Sequence, residues 1–133
     1  MKITRINHAA VNVTGKVEEA HDFYVKLLGL PQVPIQLPGA PPVMESALGF
    51  WVEQEGVQLH VIGREPFGGT PDPTQNHVSW FVEDLDVAVG ELEEHGIEMR
   101  VMGEGLGRII WVLDPGGNIV EFQQDPDCLP ASA

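Results

Sequence analysis

"INHAAVNV" (residues 6–13) and "QNHVSWFV" (residues 75–82) each set an Asn-His pair at the head of an apolar stretch, with His8 and His77 lying 69 residues apart. Self-similarity at a fixed offset marks a repeated supersecondary unit, so this pair decides the fold. Each stretch runs on into a helical pattern. In the first, Val17, Ala20, Phe23, Tyr24, Leu27 and Leu28 recur at three- and four-residue spacing, with Gly29 as the stop signal. In the second, Asp84 is the N-cap candidate, Leu85, Val89 and Leu92 form the stripe, and Gly96 ends it after His95. The later parts match as well. "GFWVEQEGVQLHV" (49–61) lies over "IIWVLDPGGNIVEF" (109–122), which sets Trp51 on Trp111, Gly56 on Gly117 and His60 on Glu121. Both read as two strands joined by a tight turn, "EQEG" in one and "DPGG" in the other.

Each half is therefore strand, helix and about three strands, a unit too small to bury its own sheet face. The chain of 133 residues is expected to be one α+β domain (1–133) of two paired modules, 3–63 and 76–124. The Pro- and Gly-rich stretch 64–75, "REPFGGTPDPTQ", reads as the linker, and 125–133 as a tail. Side chains alternate between the faces of a strand. Ala9, Val11 and Val13 oppose His8; Leu59 and Val61 oppose His60; Val78, Trp80 and Val82 oppose His77; Val120 and Phe122 oppose Glu121. With the apolar sets under the helices, His8, His60, His77 and Glu121 fall together on the other face. Any one of them alone reads as a hydrogen-bonded or solvated strand residue. Their coincidence across two halves points to a divalent metal: imidazole and carboxylate together suit zinc, nickel, manganese, iron or cobalt.

Other readings are weaker. Twenty acidic against seven basic residues give a net charge of -13, which disfavours nucleic acid and anionic membranes as partners. No run approaches the roughly 18 apolar residues of a membrane span and no secretory signal opens the chain, so a cytoplasmic location is expected. The single Cys128 excludes an intrachain disulfide and a Cys-rich zinc site. His21 and His95 read as structural or solvent-facing, and "GEGLG" (103–107) as a loop that opens no helix. Ser46, Thr70 and Ser79 have no neighbours that would activate a nucleophile. Trp51, Phe81 and Trp111 are candidates to stack a flat substrate, and Arg64 and Arg108, near the two Trp-bearing hairpins, are the better candidates to meet an anionic group.

The doubled pattern, with "NHAAVNV" and "EEAHDFYVKLLGL" in one half and "NHVSWFVEDLDVAVGELEEHGI" leading to "VLDPGGNIVEF" in the other, resembles the vicinal oxygen chelate superfamily over residues 3–124. That group includes glyoxalase I, bleomycin-resistance proteins and extradiol dioxygenases. The resemblance implies paired βαβββ modules in a cupped, mixed or antiparallel eight-stranded sheet around one divalent metal ion per site. It makes His8 and His77 the first-strand ligands, Glu121 the last-strand carboxylate, and His60 the fourth ligand, where glyoxalase I has glutamate. Four ligands leave two positions on an octahedral ion for a substrate with neighbouring oxygens, and Glu121 is then the nearest base for an enolate-forming proton transfer. The function expected is a metal-dependent lyase or isomerase of a small molecule. The alternatives are an extradiol-type dioxygenase, which requires His60 to stand off the metal, and a metal-free drug-binding protein. Each module carries one ligand pair and the linker is long enough for the site to close within one chain or between two; the resemblance implies a homodimer with its site completed across the interface.

Overall fold

The computed structural model describes residues 1–35, 41–46 and 48–128. In chain order the strands are β1 (Ile3–Asn12), β2 (Gln32–Val33), β3 (Glu45–Ser46), β4 (Gly49–Gln54), β5 (Val57–Ile62), β6 (His77–Val82), β7 (Arg100–Met102), β8 (Ile109–Leu113) and β9 (Ile119–Gln124). Helix α1 (Val17–His21) follows β1 and helix α2 (Leu85–Glu94) follows β6. Eight strands form one mixed sheet in the order β2-β4-β5-β1-β6-β9-β8-β7, with the two-residue β3 paired onto β4. The fold is thus α+β, with a single eight-stranded mixed sheet. In each half the first strand pairs parallel with the last, β1 with β5 and β6 with β9, and the remaining pairs are antiparallel. The halves join where β1 runs antiparallel to β6, in register at His8↔Ser79 and Ala10↔His77.

Two apolar clusters lie on the helix side of the sheet. Val82, Leu85, Ala88, Leu92, Ile110, Val112 and Phe122 pack under α2, and Ala20, Phe50, Val52 and Val61 pack under α1. Side chains such as Phe50, Leu85 and Ile110, at 0% exposure, each contribute about 1.5–3 kcal/mol of transfer free energy. Strand alternation accounts for the division, since Val11 and Leu59 also reach the cluster under α1 while His8 and His60 point away from it. Asp84 caps α2 by accepting from the Val87 N–H. The β4–β5 connection is a two-residue turn with positive φ at both Glu55 (52°) and Gly56 (76°), the geometry whose twist matches a hairpin.

Helix α1 departs from its expected stripe. After His21 it widens into π-helical turns over Asp22–Leu27, where the Leu28 N–H reaches the Phe23 carbonyl. Each such turn takes an extra residue, so the buried face slips along the sequence. Tyr24 and Val25 pack on the cluster, whereas Phe23, Leu27 and Leu28 are exposed. The segment 64–75 is also more ordered than a bare linker. The Asp72 carboxylate accepts from the Gly68 N–H (2.8 Å) and the Thr74 N–H (2.9 Å), while Arg100 donates to the carbonyls of Gly68 (2.6 Å) and Pro71 (3.2 Å). It forms a strap tied to the second half. Among the described residues no helix is long and apolar enough to cross a membrane.

Candidate metal centre

The sheet register sets the site out in two rows of directly opposed residues. One runs Trp111–Glu121–Ser79–His8 across β8, β9, β6 and β1; the other runs Trp51–His60–Ala10–His77 across β4, β5, β1 and β6. The rows are the same row of the repeat, met once in each half. From them His8, His77 and Glu121, all buried, bring one ligand atom each to within 4.8 Å of one another.

The surroundings orient these three side chains. His77 Nδ1 lies 2.7 Å from the Gln75 carbonyl, which can only accept, so that nitrogen donates and the ring turns its Nε2 inward. Nε2 makes no hydrogen bond and lies 3.3 Å from Glu121 Oε1; His8 Nε2 lies 3.5 Å from Glu121 Oε2. Trp111 Nε1 donates to Glu121 Oε1 (2.8 Å) and Gln123 Nε2 donates to Oε2 (2.9 Å), and the wholly buried Ser79 also bonds to the carboxylate. Burial pushes the Glu121 carboxyl up, but the facing His77 and His8 and the hydrogen bonds outweigh it and bring it down to about 2. Burial lowers His8 to about 4, with Glu121 opposing, so its imidazole is neutral at ordinary pH. Two buried imidazoles and one carboxylate that converge in this way fit a divalent ion.

A cavity of about 460 Å³ opens over the three residues. Its walls are mainly apolar, Ile35, Val43, Ile62, Met102 and Ile109 among them, and Trp51, His60 and Trp111 line it beside the cluster. The sequence profile of the Glyoxalase/Bleomycin resistance protein/Dioxygenase superfamily matches residues 5–122. The chain belongs to that superfamily. It is 29% identical over 131 residues to Glyoxylase I 4 of Arabidopsis thaliana, covering 92% of this chain and 71% of the relative. The fold is shared with methylmalonyl-CoA epimerase from Mycobacterium tuberculosis (TM-score 0.62, 16% identity, 98% of this chain and 93% of that one). It is shared too with homoprotocatechuate 2,3-dioxygenase from Arthrobacter globiformis (TM-score 0.62, 19% identity), of which it covers 37% with 93% of its own length.

Within this superfamily fold the expected site residues separate. His60 lines the cavity but lies outside the three-residue cluster: its ring stacks on Trp51 at 4.3 Å between centroids and 10° between planes, and its centroid is 6.0 Å from that of His8. Burial, then His8 and His77, lower its pKa to about 3. Phe81 is off the cavity. It shares a face with His77 but sits four residues on, about 13 Å at the rise of a strand, under the Arg5 guanidinium at 4.4 Å. Arg108 is likewise diverted, paired with Asp86 of α2 and donating to the Gly105 carbonyl. Within one chain the β1–β6 pairing brings His8 to His77 and Glu121. His21 bonds Gln32 and His95 bonds the Glu91 carbonyl, both away from the cavity. Sequence reasoning missed Gln123 and the role of Ser79. Each is two residues from a ligand candidate on the same strand, so alternation was the signal that could have found them.

Proposed function

We propose that this chain is a metal-dependent enzyme that holds a divalent ion through His8, His77 and Glu121 and binds a small, mainly apolar substrate through neighbouring oxygens. The reaction proposed is a lyase or isomerase step that moves a proton next to a carbonyl. The observation that carries this reading is the meeting of two imidazoles and a carboxylate, one ligand atom from each within 4.8 Å of the others, beneath the cavity. The ion, when bound, supplies Lewis-acid stabilisation of negative charge developing on oxygen. The residues of the chain divide the remaining work. Trp111 and Gln123 hold Glu121 so that it presents an oxygen rather than swinging. Glu121, the carboxylate of the cluster, is proposed as the base that takes the proton next to the carbonyl, as expected from the sequence. His60 lines the cavity beside the cluster, stacked on Trp51. The apolar walls keep water from the reacting atoms.

A second reading rests on the Trp51–His60 stack. With His60 off the cluster, two histidines and one carboxylate leave the open positions of a non-haem iron oxygenase, so an extradiol-type reaction is the alternative. Metal analysis of the purified protein with its His77→Ala, Glu121→Ala and His95→Ala variants tests both. Metal lost in the first two and kept in the third is expected; equal content in all three would refute the metal reading and favour a metal-free binding protein. Tightly held iron with oxygen uptake on catechols would favour the oxygenase; nickel, zinc or manganese without oxygen uptake would favour the lyase or isomerase.

A further inference from the structure

Arg64 stands exposed on the rim of the cavity, its guanidinium carbon 4.1 Å from the centre of the Phe67 ring, which also lines the opening. In a chain with twenty acidic and seven basic residues, a cation normally finds a carboxylate. Lys2, Arg5, Lys26 and Arg108 do, and Arg100 spends its donors on the carbonyls of Gly68 and Pro71. The Arg64 side chain forms no ion pair and no hydrogen bond among the described residues. Instead it lies on an aromatic face, an arrangement that keeps all of its N–H donors unused.

Its footing is fixed. The Arg64 carbonyl accepts from Thr14 Oγ1 (3.0 Å) and Asn12 Nδ2 (3.4 Å), and the Phe67 N–H donates to Thr74 Oγ1 (3.0 Å) on the strap that Asp72 and Arg100 tie down. The main chain of Arg64 therefore lies beside Asn12, four residues along β1 from His8. At the rise of a strand that is about 13 Å, a span a small metabolite bridges. Between the two ends the walls are apolar. The protein's net charge of -13 repels anions at long range, so an anionic ligand needs a local donor such as this one to enter.

We propose that Arg64, laid on Phe67, is an oxyanion subsite, and that the substrate is amphipathic. A carboxylate or phosphate sits at the rim, an apolar body fills the cavity, and the neighbouring oxygens reach His8, His77 and Glu121. The inference rests on the proposed reading of those three residues for the inner end alone. Guanidinium donates to carboxylate and phosphate alike through paired N–H groups, so both anions belong to the class.

Calorimetric titration of the full-length protein with hexanoate, hexyl phosphate and hexanamide tests this, since the three share an alkyl body and differ in the head group. At least one oxyanion is expected to bind about tenfold more tightly than the amide. Arg64→Gln should bring that ratio close to one with metal content unchanged, and Arg108→Gln should leave it intact. Whichever oxyanion is preferred identifies the head group. No preference in the unaltered protein, no binding of any of the three at millimolar concentration, or a preference that survives Arg64→Gln would overturn the subsite. His77→Ala separates it from the metal reading. A preference lost there but kept in Arg64→Gln would put the anion on the inner cluster and refute the proposal. Metal retained in His77→Ala, with the preference still dependent on Arg64, would leave the subsite standing and remove the metal reading alone.

Discussion

Trp111→Phe isolates a single hydrogen bond at the centre of the site. The substitution keeps an aromatic ring of similar shape and removes Nε1–H, which donates to Glu121 Oε1 over 2.8 Å in a buried setting. A hydrogen bond to a charged group contributes about 1.5–3 kcal/mol, and about 1.4 kcal/mol is a factor of ten in an equilibrium constant. Two effects compete. A carboxylate with one donor fewer is more basic, which favours an ion, but it is also less well aimed. Loss of a partner that orients a ligand typically costs 10–100-fold in metal affinity. Gln123 and Ser79 still hold the group, so the lower end, about tenfold weaker binding, is expected. Trp51 provides a matched control, because it stands at the equivalent position of the other half and its Nε1 is buried without a partner. Trp51→Phe removes the same atom but breaks no hydrogen bond, and should change the affinity by less than about twofold. Competition against a chromogenic chelator for zinc or nickel, on variants shown by circular dichroism to be folded, measures both. Equal affinities in the two variants would refute the claim that Trp111 aims Glu121.

His60→Glu would give the unpartnered Trp51 Nε1 an acceptor and add a carboxylate beside the cluster; metal is expected to be kept and competing anions to bind more weakly, and loss of metal in the same competition assay would contradict this. Burial opposes ionisation of Asp125, but its bonds with Arg5 and Thr4 bring its pKa down to about 2. Its folded pKa is thus below its unfolded one, so its contribution is fully present above about pH 4 and is lost as pH falls towards 2. Asp125→Asn should flatten thermal stability between those limits, and an unchanged slope would show that the Arg5 clasp is not responsible. If one chain supplies all three proposed ligands, mixing a His8→Ala chain with a His77→Ala, Glu121→Ala chain should restore no metal binding after verified subunit exchange. Recovery of binding would mean that the site is shared after all.

The doubling was legible because it is written in residue types that a strand-turn-strand unit cannot do without: the Asn-His starts, the paired tryptophans and the glycine turns. Faces were legible for the same reason, since period two needs no tertiary information. What could not be read was distance along a face and competition for a side chain. Phe81 satisfies alternation yet lies beyond the cavity, and Arg108 was drawn off by Asp86, an acid 22 residues away on a helix whose position the sequence does not encode locally. The π-helical turn was hidden because its residues fit an α-helical stripe equally well. Nothing in the composition of the strap signals the Asp72 and Arg100 bonds that fold it against the second half.

The two rows of the sheet show how duplication followed by one difference divides a symmetric scaffold. Trp51 and Trp111 are equivalent, as are His60 and Glu121, so an unmodified repeat would present the same pair twice. In the second half the pair is an indole donor and a carboxylate, and the result is a hydrogen bond that fixes an anionic ligand atom. In the first half the acid's place is taken by an imidazole, and the pair collapses into a stack with the indole N–H left over. On the proposed function the ion is therefore held off centre, by β1, β6 and β9, while β4 and β5 give up their ligand and offer a flat wall of Trp51 and His60 to the substrate. Arg64 lies just beyond the end of β5, on that same side. The acid-to-imidazole difference at position 60 thus does more than lower the ligand count: it assigns one half of the sheet to the metal and the other to the organic part of the substrate, which is why His60→Glu is expected to strengthen the first role at the cost of the second.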